Sequence, residues 1–203
     1  MKNYQKKIIL KFLVYTFLIM INIISIANAQ TWEEYNRKMI KHFSNKNYQK
    51  ALIWGMKAKN LALEEGGGLG LLLAKSYNNI AEVYKSMKSY DAAVKFYFDA
   101  IKIYETDEKI KYPGLALCYN NLAGAYLMNK QYSRAVVFFQ KAIQTIEVAV
   151  GLDDSQIIPI INNILKIYEF KKHTDSVVYK DLKKKLKKIE ENKNKSSSGK
   201  VNS

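Results

Sequence analysis

The chain has 203 residues, 48% of them hydrophobic and 25% charged, the composition of an ordinary folded chain of about one domain. Its one cysteine, Cys118, excludes a fold stapled by internal disulfides, so stability has to come from packing. The net charge of +15 is held mostly at the ends, with +4 in residues 1–29, +4 in 30–170 and +7 in 171–203, which leaves no compact basic domain of the nucleic-acid-binding kind.

Residues 1–29 are a unit of their own. Lys2, Lys6, Lys7 and Lys11 precede the apolar run Phe12 to Ile26, which ends in Ala27-Asn28-Ala29. A charged start, a short apolar run and a small-x-small ending describe a signal peptide cleaved before Gln30. The run is about 15 residues, short of the roughly 20 a spanning helix needs. Extended back across Lys11 to Ile8, the same segment would be an uncleaved membrane anchor. No cysteine stands beside the cleavage site, so a lipid anchor is not expected.

From residue 32 to 190 apolar residues recur at spacings of three and four, with no period-two run bounded by turn dipeptides. The two prolines, Pro113 and Pro159, mark helix starts, where a missing N–H matters little. The domain, residues 30–191, is therefore expected to be all-helical. The tail, residues 192–203, has almost nothing to bury and is expected to be disordered.

Within the domain one pattern returns at a fixed interval. NNIAEVY (Asn78 to Tyr84), NNLAGAY (Asn120 to Tyr126) and NNILKIY (Asn162 to Tyr168) are successively 42 residues apart. Behind the first two, Tyr90, Ala93, Tyr97 and Ala100 correspond to Tyr132, Ala135, Phe139 and Ala142. The repeated unit is a helical hairpin, and four copies fit near 32–66, 71–106, 114–150 and 156–191. Counted from Trp32, Ala74, Ala116 and Ile158, positions 4, 7, 8 and 11 share an arc of about 100° and make the buried stripe of each first helix. The first copy is degraded, with Lys38 and His42 on that stripe and Gly55 where later copies have Tyr97 and Phe139. The last copy has Val177 and Asp181 where an alanine and an aromatic belong, and reads as a cap with Val178, Leu182, Leu186 and Ile189 on one edge and lysines around the rest.

Large residues early in a first helix and small ones at the crossing resemble the tetratricopeptide repeat. The 42-residue period, longer than the usual repeat of about 34 residues, is similar to that of kinesin light chains, as are the paired Asn and the loop Gly151-Leu152-Asp153-Asp154. The junctions Glu64-Glu65-Gly66-Gly67-Gly68 and Thr106-Asp107-Glu108-Lys109 depart from that loop sequence. The resemblance implies a right-handed α-solenoid of about four hairpins with a C-terminal capping helix. It also implies a protein or peptide partner held in the concave groove, with no kinesin role transferred.

Positions 2, 6, 9 and 13 of the first helices point away from each hairpin's core, toward that groove. The residues expected to meet a partner are Arg37, Lys75, Asn79, Glu82, Leu117, Asn121, Met128, Asn163, Lys166 and Phe170. Ile40, Gly124 and Pro159 occupy the same face, which becomes more apolar toward the C-terminus. Asn79, Asn121 and Asn163 stand at one height and serve either a peptide backbone or the neighbouring helices, since an amide both donates and accepts. The clamp for an acidic C-terminus that other members of the family use is not expected, because Asn36 and Ile40 replace its Lys and Asn.

Other chemistry is thin. Gly66-Gly67-Gly68-Leu69-Gly70 before Lys75-Ser76 lacks the spacing of a phosphate loop and reads as a helix connection. His42 and His173 are three repeats apart, which leaves no metal site, and no nucleophile sits beside a base, so no cofactor and no catalysis are expected. Besides a groove-binding module, the sequence allows the exported input part of a signalling protein and a basic binder of anionic surfaces resting on the last helix. Mass spectrometry of the exported protein is expected to find Gln30 as the first residue, and an intact segment 1–29 in the membrane fraction would replace export by anchoring.

Overall fold

The computed structural model describes Thr16 and residues 31–64, 70–106, 111–150 and 155–198. Among the described residues there are eight helices and no strand: α1 (Trp32–Ser44), α2 (Tyr48–Glu64), α3 (Gly70–Ser86), α4 (Tyr90–Thr106), α5 (Lys111–Met128), α6 (Tyr132–Val150), α7 (Ile157–Phe170) and α8 (Val177–Ser198). Each packs on the next, and α1 also touches α3 as α3 touches α5, so the hairpins α1–α2, α3–α4, α5–α6 and α7–α8 stack with their first helices in line. The segment 1–29 expected to be a signal peptide, Thr16 apart, and the loop 151–154 lie outside the described residues.

The hairpins close because their crossings are built from alanine. Ala81, Ala93 and Ala100, then Ala123, Ala135 and Ala142, have no exposed surface. Without side chains beyond Cβ the helices approach closely, and Tyr97 or Phe139 fills the space beside the crossing. Repeat 1 solves the same volume problem in reverse. Met39 stands where the later copies have Ala81 and Ala123, and Gly55 stands where they have the aromatic ring. A Cβ on Gly55 would lie 3.0 Å from Ile80 Cγ1 and 3.3 Å from Met39 Sδ, so the missing side chain is the room that Met39 occupies. The degraded look of this repeat is thus a swap of large and small residues across one contact.

Repeat 1 is fastened in two further ways. Thr31 caps α1, its hydroxyl accepting from the Glu34 N–H at 3.2 Å, with Glu33 and Glu34 at the positive helix end. Trp32 Nε1 donates to the buried Ser76 hydroxyl at 2.7 Å and ties α1 to α3. At the other end α7 is apolar on nearly every buried side, and α8 lays Leu182 and Ile189 against it while Lys185 pairs with Glu147 of α6. The helix continues past Glu191 to Ser198, so the first part of the tail that sequence marks as disordered extends the cap. One start also shifts: α5 begins at Lys111, which places Pro113 inside its first turn.

The turns inside the hairpins repeat as strictly as the crossings. Lys46, Lys88, Lys130 and Lys172, again 42 residues apart, have φ of 57°, 61°, 59° and 57°. In each, the lysine N–H donates to a carbonyl three residues back and the following N–H to one five residues back, as with Lys130 to Leu127 (3.0 Å) and Gln131 to Tyr126 (2.8 Å). This is the Schellman termination of the first helix, in which glycine is the favoured residue at the left-handed position. A side chain there costs roughly 1–2 kcal/mol, partly offset by the larger entropy a glycine loses on folding. Lys88→Gly and Lys130→Gly are therefore each expected to stabilise the fold by about 0.5–1 kcal/mol, read as a higher midpoint in thermal melts followed by circular dichroism. A lower midpoint would mean that the lysine stems contribute packing that outweighs the backbone strain.

Candidate functional site

The concave face is lined by the first helices α1, α3, α5 and α7, and its centre is a chain of amides. Asn79 Nδ2 donates to Asn36 Oδ1 at 2.8 Å, Asn78 Nδ2 to Asn79 Oδ1 at 3.4 Å, and Asn121 Nδ2 to Asn78 Oδ1 at 3.2 Å. Asn78 is the hub, only 7% exposed, and its carbonyl also receives the Cys118 thiol at 3.5 Å. Three helices are thus joined by side-chain hydrogen bonds in the part of the structure where backbone groups are already satisfied within each helix. Of the two roles the sequence leaves open for Asn79 and Asn121, this is the bridging one.

Glu82 is likewise occupied from within. Its carboxylate accepts from Lys85 at 2.6 Å and from the phenol of Tyr97, which reaches through the crossing from α4. Burial first, then the charge and hydrogen bond of Glu82, hold the Tyr97 hydroxyl protonated far above its ordinary range. One repeat later the phenol and the carboxylate vanish together: Phe139 replaces Tyr97 and Gly124 replaces Glu82, with nothing within 4 Å of where a Gly124 Cβ would be. Glu82 is on this face because a buried hydroxyl needs an acceptor. Cys118 has no exposed surface, and burial followed by the Glu82 charge pushes its thiol up to about 12, so it is no nucleophile at neutral pH.

Between α5 and α7 the arrangement changes. Among the described residues no hydrogen bond joins Asn163 to Asn120, the counterparts of Asn121 and Asn78. Instead a hollow of about 330 Å³ opens there, walled by Ala116, Leu117, Pro159 and Ile160, with the Asn120 and Asn163 amides on its rim and the end of α6 behind it. The cause is at position 3 of the first helices, where Ser76 and Cys118 are succeeded by Ile160. Cys118 is small enough to rest on the Asn78 carbonyl, whereas Ile160 is bulky and apolar where Asn120 would need a partner. Identical Asn-Asn pairs hide this difference, and the graded series Ser, Cys, Ile is the signal that reveals it.

The remaining expected residues divide by height along the helices. Leu117 (52% exposed) and Asn163 meet at the hollow. Met128 and Phe170 are at the opposite, turn end, eleven residues or roughly 16 Å along the helix axis, and the Phe170 ring packs 5.3 Å from that of Tyr132. Arg37, Lys75 and Lys166 are exposed along the face.

Two family models described as Tetratricopeptide repeat match residues 29–106 and 115–156, together more than half of the chain. No curated protein matches it. Among solved structures, BtubC (BKLC) from P. vanneervenii aligns with a TM-score of 0.69 at 21% identity, over 79% of this chain and 62% of that one. The TPR-like repeats of a proposed kinesin light chain from Podosopora anserina align with a TM-score of 0.62 at 13% identity, over 77% and 72%. The Rap conjugation gene regulator of the plasmid pLS20, solved in complex with the Phr* peptide, aligns with a TM-score of 0.58 at 18% identity, over 69% and 38%. The chain spans about 62% of the length of the first of these. At such identities the likeness is one of fold: a right-handed α-solenoid.

The two kinds of asparagine are separable by melting. Asn121→Ala leaves the buried Asn78 carbonyl without its amide donor and is expected to lower stability by about 1–3 kcal/mol. Asn163→Ala removes no helix-to-helix bond and is expected to change it by no more than about 0.5 kcal/mol. Equal melting temperatures for the two variants would contradict the bridging role.

Proposed function

Because this chain belongs to the tetratricopeptide repeat family, we propose that it is a non-catalytic interaction module whose concave face holds an extended segment of a partner protein. The observation that carries this reading is the interruption of the amide chain. Where the first helices are bridged, their asparagines are used up; at the α5–α7 step two amides stand at the rim of an apolar hollow. A peptide strand offers one N–H and one C=O per residue to such amides and alternate side chains to a pocket beside them. A hollow of this size suits one aromatic or branched aliphatic side chain as anchor. Arg37, Lys75 and Lys166 are exposed on the groove positions against a single exposed acid, Glu33, while Glu82 is neutralised by Lys85. The preferred segment therefore carries acidic residues around its apolar anchor. That a structurally similar Rap regulator holds a peptide supports the reading by analogy of fold alone.

The protein works, in this reading, outside the cytoplasm after cleavage between Ala29 and Gln30, with the apolar run of residues 12–26 as the export signal. The binding proposal is tested by selecting from a displayed peptide library with residues 30–203. Enrichment of segments with one large apolar residue flanked by acidic ones is expected, and Leu117→Ala with Asn163→Ala is expected to weaken the selected peptide at least about tenfold, the loss of one anchor contact. The melting temperature of that double variant is expected to stay within a degree or two, since neither side chain supports the fold. Unchanged affinity in the double variant would remove the hollow from the site.

A further inference from the structure

The four left-handed lysines lie on one edge of the stack. Consecutive turns are neighbours: Met87 packs on the same buried cluster of Met39, Ala51 and Val83 as Phe43 and Tyr48 of the turn before it, Asn129 shares a hollow with Lys88 to Ala92, and Lys171 and His173 share one with Tyr132 and Ser133. Lys46, Lys88, Lys130 and Lys172 therefore recur once per hairpin along that edge, all exposed. Among the described residues none of them pairs with a carboxylate. Asp91 and Asp175 are the acidic groups closest to the row in sequence.

Folding does not explain why the residue is lysine. Glycine is better suited to the positive φ, and asparagine is the next choice. Asparagine is at hand: Asn45, Asn47 and Asn129 flank the left-handed position in two of the turns without occupying it. A cation near the helix C-terminus is favourable, yet Lys41, Lys85 and Lys171 already supply one to α1, α3 and α7 without strained backbone. Four independent turns thus keep the same charge at a position that disfavours a side chain, the signature of strain retained for function.

We propose that this edge is a second binding surface, separate from the concave groove, and that its ligand is a flexible linear polyanion. One lysine per hairpin makes a row of separated point charges, which a linear polyanion can meet together because it carries many anionic groups along one flexible chain. Each ammonium is a compact charge with no preferred plane, which selects for charge spacing and not for a particular headgroup. Apolar groups at this edge are scattered: Met87 is packed inward on the cluster of Met39, Ala51 and Val83, and Met128 and Phe170 are exposed at the turn end, so vesicles are the control that separates a bilayer from a polymer. Successive hairpins of a right-handed superhelix also rotate, so the four tips follow a curve that a flexible chain can track and a plane cannot.

The test compares two variants of residues 30–203 that each lose four positive charges: Lys46, Lys88, Lys130 and Lys172 all changed to Gly, and Lys183, Lys184, Lys187 and Lys188 of α8 all changed to Gln. Probes are long-chain polyphosphate, tripolyphosphate, and vesicles of phosphatidylglycerol with phosphatidylcholine. The wild-type protein is expected to bind the long chain at least about tenfold more tightly than the trimer, with affinity falling steeply as salt rises. The turn variant is expected to lose about tenfold or more for the long chain while melting at a higher temperature, and the α8 variant to lose less than about threefold. Equal losses in the two variants would reduce the effect to net charge and overturn the proposal. So would vesicle binding stronger than polymer binding, or no binding to either. Capture of the selected peptide by the concave groove, unchanged in the turn variant, keeps this result independent of the peptide reading.

Discussion

The close crossing of two helices in each hairpin is the contact from which the rest of the architecture follows. In repeats 2 and 3 alanine at three positions lets the backbones approach, and one ring beside the crossing fills what the alanines leave. Close packing tolerates neither a void nor an excess. That is why Met39 stands beside Gly55 where Ala81 stands beside Tyr97: the larger residue of the pair has changed sides of the contact. The same ring then dictates a polar residue on the adjacent helix. Tyr97 brings a hydroxyl into the interior, the hydroxyl needs an acceptor, and Glu82 appears; Phe139 brings none, and Gly124 suffices.

Stacking the hairpins raises a second problem, which is how first helices meet at a concave surface with few side chains to spare. Amides solve it in repeats 1 to 3, because one Asn can donate to the helix before it and accept from its neighbour. The solution depends on small residues at the adjoining position. Ser76 and Cys118 permit it, and Ile160 does not. The hollow is thus a consequence of a single enlarged side chain at one step of a repeated contact, and the site and the fold are made of the same residue types.

The repeat, its period and its buried stripes were legible in the sequence because a helix's burial pattern is a property of spacing alone. Tyr119, Leu122, Ala123 and Tyr126 are buried in the structure as position 4, 7, 8 and 11 require, and the resemblance to the tetratricopeptide repeat rested on those residues. The groove was legible only as a face. Which of its polar residues are free depends on pairs more than forty positions apart, such as Asn121 with Asn78, and on the volume of a third residue between them. Glu82 looked like a groove residue for the same reason, since its partner Tyr97 belongs to another helix. The left-handed lysines do not stand out in the sequence because lysine is an ordinary surface residue, although their recurrence at 42 residues is as regular as that of the paired asparagines.

What unites these features is that repetition exposes exceptions. In a chain of unrelated elements, a lysine at positive φ or an unbridged asparagine has no reference against which to be odd. Here each position has three counterparts that face the same local physics. A substitution that every counterpart shares, such as lysine at the turn, has survived four separate conflicts with backbone preference, and a shared cause outside the turn explains it better than four local ones. A substitution found in one copy, such as Ile160, marks where that copy differs in what it contacts. The first kind belongs to the whole edge of the solenoid and the second to one step of its groove, so the two surfaces can take ligands of different chemistry without sharing a residue.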